Sequence, residues 1–404
     1  MTNMKYFMSV FICVSALIGT AGAYADGSIS ESIKNGKTNG ELKIWYQTND
    51  NDIANNSIFG KGNSVFDSGL SLGYTTGSYH GFSARIHFFA IDDLNAYDYF
   101  ADNSIHGVDH GKTASWLGEA FLSYKKNNTL INFGRQNLKS PLINSDDWAV
   151  FPNNFEAILL QNIDLPDTTV AIYYVTEERK LKSDTFVDFA EDGGLMLGVT
   201  NKSIPNSVLS GYYYHIGDRS DIDALYLEAT TKFKSVNLAG QYMFFDPDMI
   251  GAEKTNAFGF KISSRLGIFD LSAAYTTVSD GTLNAAKFSD SGMKTPLYTF
   301  TLSGDGDVAG ATDTDSYKFS FGLIPIDGLN ISYSLGYYDH GSDSSARPDD
   351  ESISNELEVK YTGFKNITIF AAYINANHNG IGAFKGATIN DDLNTIRIWA
   401  SYKF

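Results

Sequence analysis

The chain has 404 residues, 43% of them hydrophobic, 14% aromatic and 19% charged, with a formal net charge of −17. That excludes a disordered polypeptide, which carries fewer aromatics and more charge. The excess of 47 acidic over 30 basic residues argues against nucleic acid as a partner, because phosphates select Lys and Arg. With 24 Tyr, 28 Phe and 37 Gly against 8 Pro, the composition favours β structure, and the length suits one large barrel as well as two or three domains.

Residues 1–25 carry a single charge, Lys5, followed by an apolar run from Phe7 to Ile18 and small residues ending Ala23-Tyr24-Ala25. This predicts a secretory signal peptide cut after Ala25, too short in its apolar run to be retained as a span. Its removal takes away Lys5 and Cys13, the only cysteine, so the exported chain has a charge of −18 and no thiol, disulfide or thiolate metal site. Residues 26–37 are then a periplasmic N-terminal lead. No later stretch approaches 18 consecutive apolar residues, which argues against helical membrane spans.

From residue 38 onward, period-2 alternation recurs and helix-period segments are almost lacking. Leu42, Ile44 and Tyr46, then Phe82, Ala84, Ile86 and Phe88, and later Tyr317, Phe319, Phe321 and Leu323 alternate with polar, small or charged residues. Read as strands of roughly 8 to 12 residues, the segments are 38–49, 67–77, 82–91, 114–125, 129–136, 155–162, 168–179, 195–201, 207–216, 222–232, 235–245, 256–265, 269–277, 315–324, 329–339, 352–362, 367–375 and 394–404. Eighteen strands result. Connections after odd-numbered strands are mostly long (50–66, 92–113, 137–154, 180–194, 278–314, 376–393), and those after even-numbered strands are short.

That sorting predicts an all-β fold: a single transmembrane antiparallel up-and-down barrel, 38–404, with long external loops and short periplasmic turns. A soluble sandwich has no reason to segregate its loops. Closure follows because an open strand edge in lipid would leave backbone groups without partners. The chain ends on Phe404, behind which Tyr402, Ala400, Ile398 and Ile396 alternate with Lys403, Ser401, Trp399 and Arg397. This is similar to the terminal strand signal that barrel-assembly machinery reads in Gram-negative outer membranes.

Two segments carry a family resemblance. Residues 28–46, SISESIKNGKTNGELKIWY, and residues 118–157, with Gly134-Arg135, Lys139-Ser140-Pro141, Pro152 and Phe155-Glu156, resemble the OprD-like outer-membrane porins, particularly the campylobacter-type branch. The resemblance implies an eighteen-stranded barrel, inward-folded loops that narrow the pore, and passive uptake of small, often carboxylate-bearing solutes. It implies monomers or loose trimers, so a homotrimer is one open state. Where the family pattern places an arginine after Asp146-Asp147, this chain has Trp148, which leaves the substrate preference open.

Side-chain parity predicts the lining independently of family. If the apolar positions face lipid, Lys43, Arg85, Lys261, Arg265, Lys318, Lys360 and Arg397 face the lumen, with Glu41, Glu119, Glu228 and Glu358. The cations either form a track of successive weak sites for anions or simply pair with the carboxylates of a wet interior. The loop 137–154, with Asp146, Asp147, Trp148 and Phe151, is the candidate constriction, opposing its carboxylates to wall cations; the other reading is an ordinary surface loop. Arg135 shares the parity of Ile131 and Phe133 but stands at the strand end, and is grouped with this loop.

Other constellations are weaker. His106 and His110 lie in a Gly-rich loop without helical spacing, and Asp305, Asp307, Asp313 and Asp315 lack the terminal glutamate of a calcium loop, so no metal site is predicted. No phosphate-binding loop or nucleophile elbow occurs. The function expected is therefore an outer-membrane diffusion channel for small solutes or ions, without enzymatic activity or cofactor, surrounded by lipid and lipopolysaccharide. The competing reading is a surface adhesin or structural outer-membrane protein using the large acidic loops, 278–314 above all.

Overall fold

The structure is a computed structural model that describes residues 28–50, 58–60, 64–94, 113–145, 149–181, 183–217, 221–248, 253–279, 281, 283, 297–302, 308–344, 350–377 and 393–404. Residues 1–25, the loop residues His106 and His110, and Asp305 and Asp307 lie outside these segments.

A short helix, α1 (Ile29–Lys34), opens the described chain. Ser28 caps it: its hydroxyl accepts from Glu31 N, and the Glu31 carboxylate accepts from Ser28 N, the reciprocal box that satisfies two otherwise orphaned donors. The helix lies against the first turn through Ser32 Oγ and Gly77 O (2.5 Å) and the Tyr74 hydroxyl on Ile33 O.

Among the described residues, strands then follow without further helix: β1 (Lys37–Asp50), β2 (Ser64–Thr75), β3 (Phe82–Asp92), β4 (Thr113–Lys126), β5 (Thr129–Gln136), β6 (Asn154–Asn162), β7 (Thr168–Arg179), β8 (Val187–Asp188) and β9 (Gly194–Asn201). The second half holds β10 (Ser207–Ile216), β11 (Ile222–Phe233), β12 (Val236–Pro247), β13 (Thr255–Leu266), β14 (Phe269–Val278), β15 (Thr314–Ile326), β16 (Leu329–His340), β17 (Asp350–Tyr361), β18 (Ile367–Ala376) and β19 (Leu393–Lys403). Apart from the two-residue β8, which pairs only with the end of β7, these are the eighteen expected strands, each antiparallel to its neighbour. The barrel closes where β1 pairs β19, from Glu41 opposite Lys403 to Asp50 opposite Asn394. Phe404 extends the seam by exchanging backbone hydrogen bonds with Gly40.

The up-and-down order brings alternate connections to one end, and they close tightly because single residues adopt the left-handed conformation there. Asn127, Asp167, Asn206, Lys234, Gly267, Gly328 and Asn366 all have positive φ in the tight connections. The outer face is a continuous apolar surface, with Leu42, Ile44, Leu72, Phe258, Phe319 and Ile398 among its exposed side chains. An apolar exterior around a polar interior inverts the soluble pattern, as a membrane barrel requires.

Two bulges re-aim the interior. His87 faces Glu119 while Phe88 faces Leu117, so Gly118 is the extra residue in β4. As a result both Trp116 and Glu119 are buried inside although they are three residues apart. A second shift, between Glu156 and Ala157 opposite β7, turns Val175 and Glu178 inward together.

Candidate permeation pathway

The register places Lys43, Arg85, Lys261, Arg265, Lys318, Lys360 and Arg397 on the inner parity of their strands, with Glu41, Glu119, Glu228 and Glu358. Their partners divide the cations into two kinds. Lys43 donates to Ala149 O (2.8 Å) and lies over the rings of Trp45 and Trp399. Arg85 reaches Glu119 Oε2 (2.7 Å), Thr75 and Asn39, and His87 Nδ1 meets the same Glu119 oxygen at 2.8 Å. Lys318 donates to Phe300 O (2.5 Å), and Arg397 donates to Gln47 Oε1 (2.9 Å) from above the Trp45 ring. These four are committed to other parts of the protein.

Lys261 and Lys360, by contrast, make no hydrogen bond or ion pair among the described residues. Among the described residues Arg265 has only a long contact, 3.8 Å, with Asp270, both side chains being largely exposed. A pair of that kind holds its charge weakly, since solvent screens it.

The described residues of the loop between β5 and β6, 137–145 and 149–153, pack most of their apolar side chains against the inner wall. Leu138, Leu142, Ile143, Val150 and Phe151 are buried, and Leu142 N donates to the inward Tyr214 hydroxyl on β10. On the other side Phe151 packs edge-on against Phe89 (5.1 Å) and Trp116 (6.4 Å), which stack on each other at 5.4 Å. Any side chain at Gly69 would collide with Val150 and Phe151, which explains the glycine. Asp146, Asp147 and Trp148 lie outside the described residues.

The root of this loop is fastened by Arg179, which is 1% exposed. Its guanidinium sits 3.9 Å from the Trp116 ring and donates to Pro152 O (2.8 Å) and to Ser183 O (2.5 Å), joining two loops. Next to it Asn153 Nδ2 donates to the buried Glu178 (3.2 Å). Arg135 stays with the outer parity of Phe133: it contacts Glu156 (3.3 Å) and lies 4.0 Å from the Phe186 ring, away from the loop with which its sequence position groups it. Its strand ends one residue later, at Gln136, whose side chain turns in instead, donating to Ala157 O.

The described parts of 278–314 also lie inside. Tyr298 donates to Glu228 (2.7 Å), Thr301 meets the Tyr338 hydroxyl (2.8 Å), and Leu297, Val308 and Ala309 are buried in the same apolar cluster as Leu142 and Tyr214. An extended external surface made of this segment is therefore not what these residues form. Asp313 and Asp315 are separated too: Asp315 accepts from Tyr275 on the outer face, while Asp313 faces Gly341.

The two loops leave the lumen asymmetric. Inward Tyr173, Met196, Tyr214, Tyr226, Met243 and Phe245, on β7 to β12, are covered by loop side chains. Nearer the short turns, the inner wall of β12 to β16 carries small polar residues in cross-strand rows. Asn237, Ser263, Ser272, Ser320 and Ser334 face one another across β12 to β16, between a row bearing Lys261 and Lys318 and a row bearing Arg265 and Asp270.

Sequence reasoning missed the Arg179 latch and the inward aromatic file of Trp45, Trp399 and Phe370, stacked at 6.5 and 5.3 Å. Trp45 and Trp399 share the parity of Lys43 and Arg397, so alternation carried the signal. Arg179 had none, because the bulge in β7 breaks the alternation just before it.

No protein-family model and no curated protein matches the sequence. Solved structures do match. The barrel is similar to OccK8 (OprE) of Pseudomonas aeruginosa, with a TM-score of 0.72 and 16% identity over 92% of this chain and 99% of that one. It is likewise similar to OccAB3 of Acinetobacter baumannii, at a TM-score of 0.73 and 15% identity over 92% of this chain and 100% of that one. OpdK of Pseudomonas aeruginosa, solved with vanillate, gives a TM-score of 0.73 and 13% identity over 92% and 99%. These neighbours are OprD-family outer-membrane porins of Pseudomonas and Acinetobacter, and what this chain shares with them at such identity is the barrel fold.

Proposed function

We propose that the protein is an OprD-like outer-membrane porin, a passive channel through which small hydrophilic solutes, including carboxylate-bearing ones, and ions diffuse. The observation that carries this reading is a closed barrel, apolar outside, whose polar inner wall at the short-turn end of β12 to β16 is left open while two loops pack against the inner wall nearer the other end. The fold shared with porins, one of them solved with the aromatic carboxylate vanillate, supports the same reading. In this reading the short-turn end is periplasmic and the loop end external.

Segments 137–154 and 297–302 narrow the passage. Selection by charge then falls to the lumenal cations that retain free valence, Lys261 and Lys360, more than to Arg85 or Lys318, whose charge is engaged. Passage requires binding weak enough to release, as a half-exposed lysine on a wet wall provides. The channel needs no cofactor. Its terminal strand, ending in Phe404, serves recognition by the barrel-assembly machinery, and the surrounding partners are lipid and lipopolysaccharide.

Single-channel recording of the refolded protein, with the reversal potential in a salt gradient, tests the reading. Discrete open steps with an anion preference that falls in Lys261→Ala and Lys360→Ala, and less in Arg85→Ala, are expected. A demonstrably folded barrel without steps would overturn the channel, and cation preference would shift the filter to acidic residues such as Asp146 and Asp147.

A further inference from the structure

Near the short-turn end, the inner wall of β12 to β16 contains a recess of about 290 Å³. Its side chains include Lys261, Arg265, Asn237, Ser263, Ser272 and Ser332, and none of its lining residues is aromatic. Two properties separate it from the rest of the lumen. The first is unused hydrogen-bonding capacity: Lys261, Asn237, Ser263, Ser272 and Ser332 make no side-chain hydrogen bond among the described residues, whereas Lys43, Arg85, Lys318 and Arg397 are tied to carbonyls or side chains. The second is order: the serine row lies between the row of Lys261 above and that of Arg265 below.

The spacing defines the ligand. Lys261 and Arg265 are four residues apart on one strand face, about 13 Å at 3.3 Å per residue, so one small anionic group does not satisfy both closely. Between them the wall offers hydroxyls, each able to donate and to accept. An ion pair with Lys261 and several neutral hydrogen bonds along the serine row suit a molecule with an anionic head and a hydroxylated body. Arg265, partly offset by Asp270, then receives the head as the solute moves toward the periplasm. An aromatic acid finds a cation here but no ring to stack on, and its ring would displace water from serines that it cannot hydrogen-bond.

We propose that this recess is an exit-side binding site for small polyhydroxylated anions, with Lys261 holding the carboxylate or phosphate head and Ser263 and Ser272 the hydroxyls. Its role in transport rests on the channel reading; its occupancy does not.

The test is saturation-transfer NMR on the refolded barrel in detergent micelles, with D-gluconate, glycerol 1-phosphate and benzoate as probes, using wild type, Lys261→Met and Ser263→Ala/Ser272→Ala. Gluconate or glycerol phosphate is expected to bind more tightly than benzoate. Its affinity is expected to fall about tenfold on loss of the charge-assisted contact in Lys261→Met and about threefold in the double serine variant. Binding by gluconate alone assigns a carboxylate head, and by glycerol phosphate alone a phosphate head; either supports the site. Benzoate binding as tightly as both, or affinities unchanged in both variants, overturns it. A barrel that binds gluconate in this way yet shows no conductance refutes the channel and keeps the site, whereas a conducting barrel that binds neither hydroxylated probe does the reverse.

Discussion

Removing the Arg179 guanidinium should release the loop 137–154 from the lumen wall without unfolding the barrel. In Arg179→Met two hydrogen bonds from a charged donor disappear, to Pro152 O at 2.8 Å and to Ser183 O at 2.5 Å. Each is worth about 1.5–3 kcal/mol. The cation over Trp116 at 3.9 Å is also lost, about 0.5–2 kcal/mol more. Against this stands the desolvation of a charge that is 1% exposed, which methionine does not incur and which offsets several kcal/mol. The net is a loop weakened by roughly 2–4 kcal/mol, an increase of about 30- to 700-fold in the open population. An Ala149→Cys background reads this directly: the position is 1% exposed, and the only native cysteine is Cys13. Maleimide labelling at residue 149 should accelerate within that range in Arg179→Met, and single-channel current should become noisier. The strand ladders are untouched, so resistance of the folded band to heating in detergent should change little. Equal labelling rates in the two backgrounds, or loss of the whole barrel in step with the loop, would refute the latch.

Two other substitutions probe different contacts. Arg85→Ala leaves Glu119, 7% exposed, facing His87 without its guanidinium; a loss of about 3–5 kcal/mol is expected in denaturant titration of the barrel, and Glu119→Gln in the same background should recover part of it. Tyr298→Phe removes the 2.7 Å bond to Glu228 that ties residues 297–302 to β11; a rise in mean conductance with barrel stability changed by no more than about 1–3 kcal/mol is the expected outcome, measured in the same bilayer and denaturant assays.

Much of the barrel was legible because its determinants are local. Period-2 alternation depends only on the two-sided geometry of a strand, and the turns depend on residues that tolerate positive φ, such as Asn127, Asn206 and Gly328. The facing of Lys43, Arg85, Lys261 and Arg397 followed from the same alternation. Glu119 lies on the C-terminal side of the bulge at Gly118, where it shares the buried side with Trp116 although the two are three residues apart.

What each cation does was not legible. Lys43 is held by a carbonyl 106 residues away and Arg397 by a glutamine 350 residues away, so the division into engaged and available charges exists only once the barrel closes. The segment 278–314 reads as an acidic external loop by composition, yet Tyr298 and Thr301 turn inward because β11 and β16 present partners there. Arg135 shows the converse: its neighbours in sequence suggested the loop, and the pairing of β5 with β6 placed it beside Glu156 on the outer face. Alternation and turn chemistry, acting over a few residues, determined that this chain forms an eighteen-stranded barrel with a polar interior. Closure, which brings strands far apart in sequence to a common wall, decided which interior groups remain free to meet a solute.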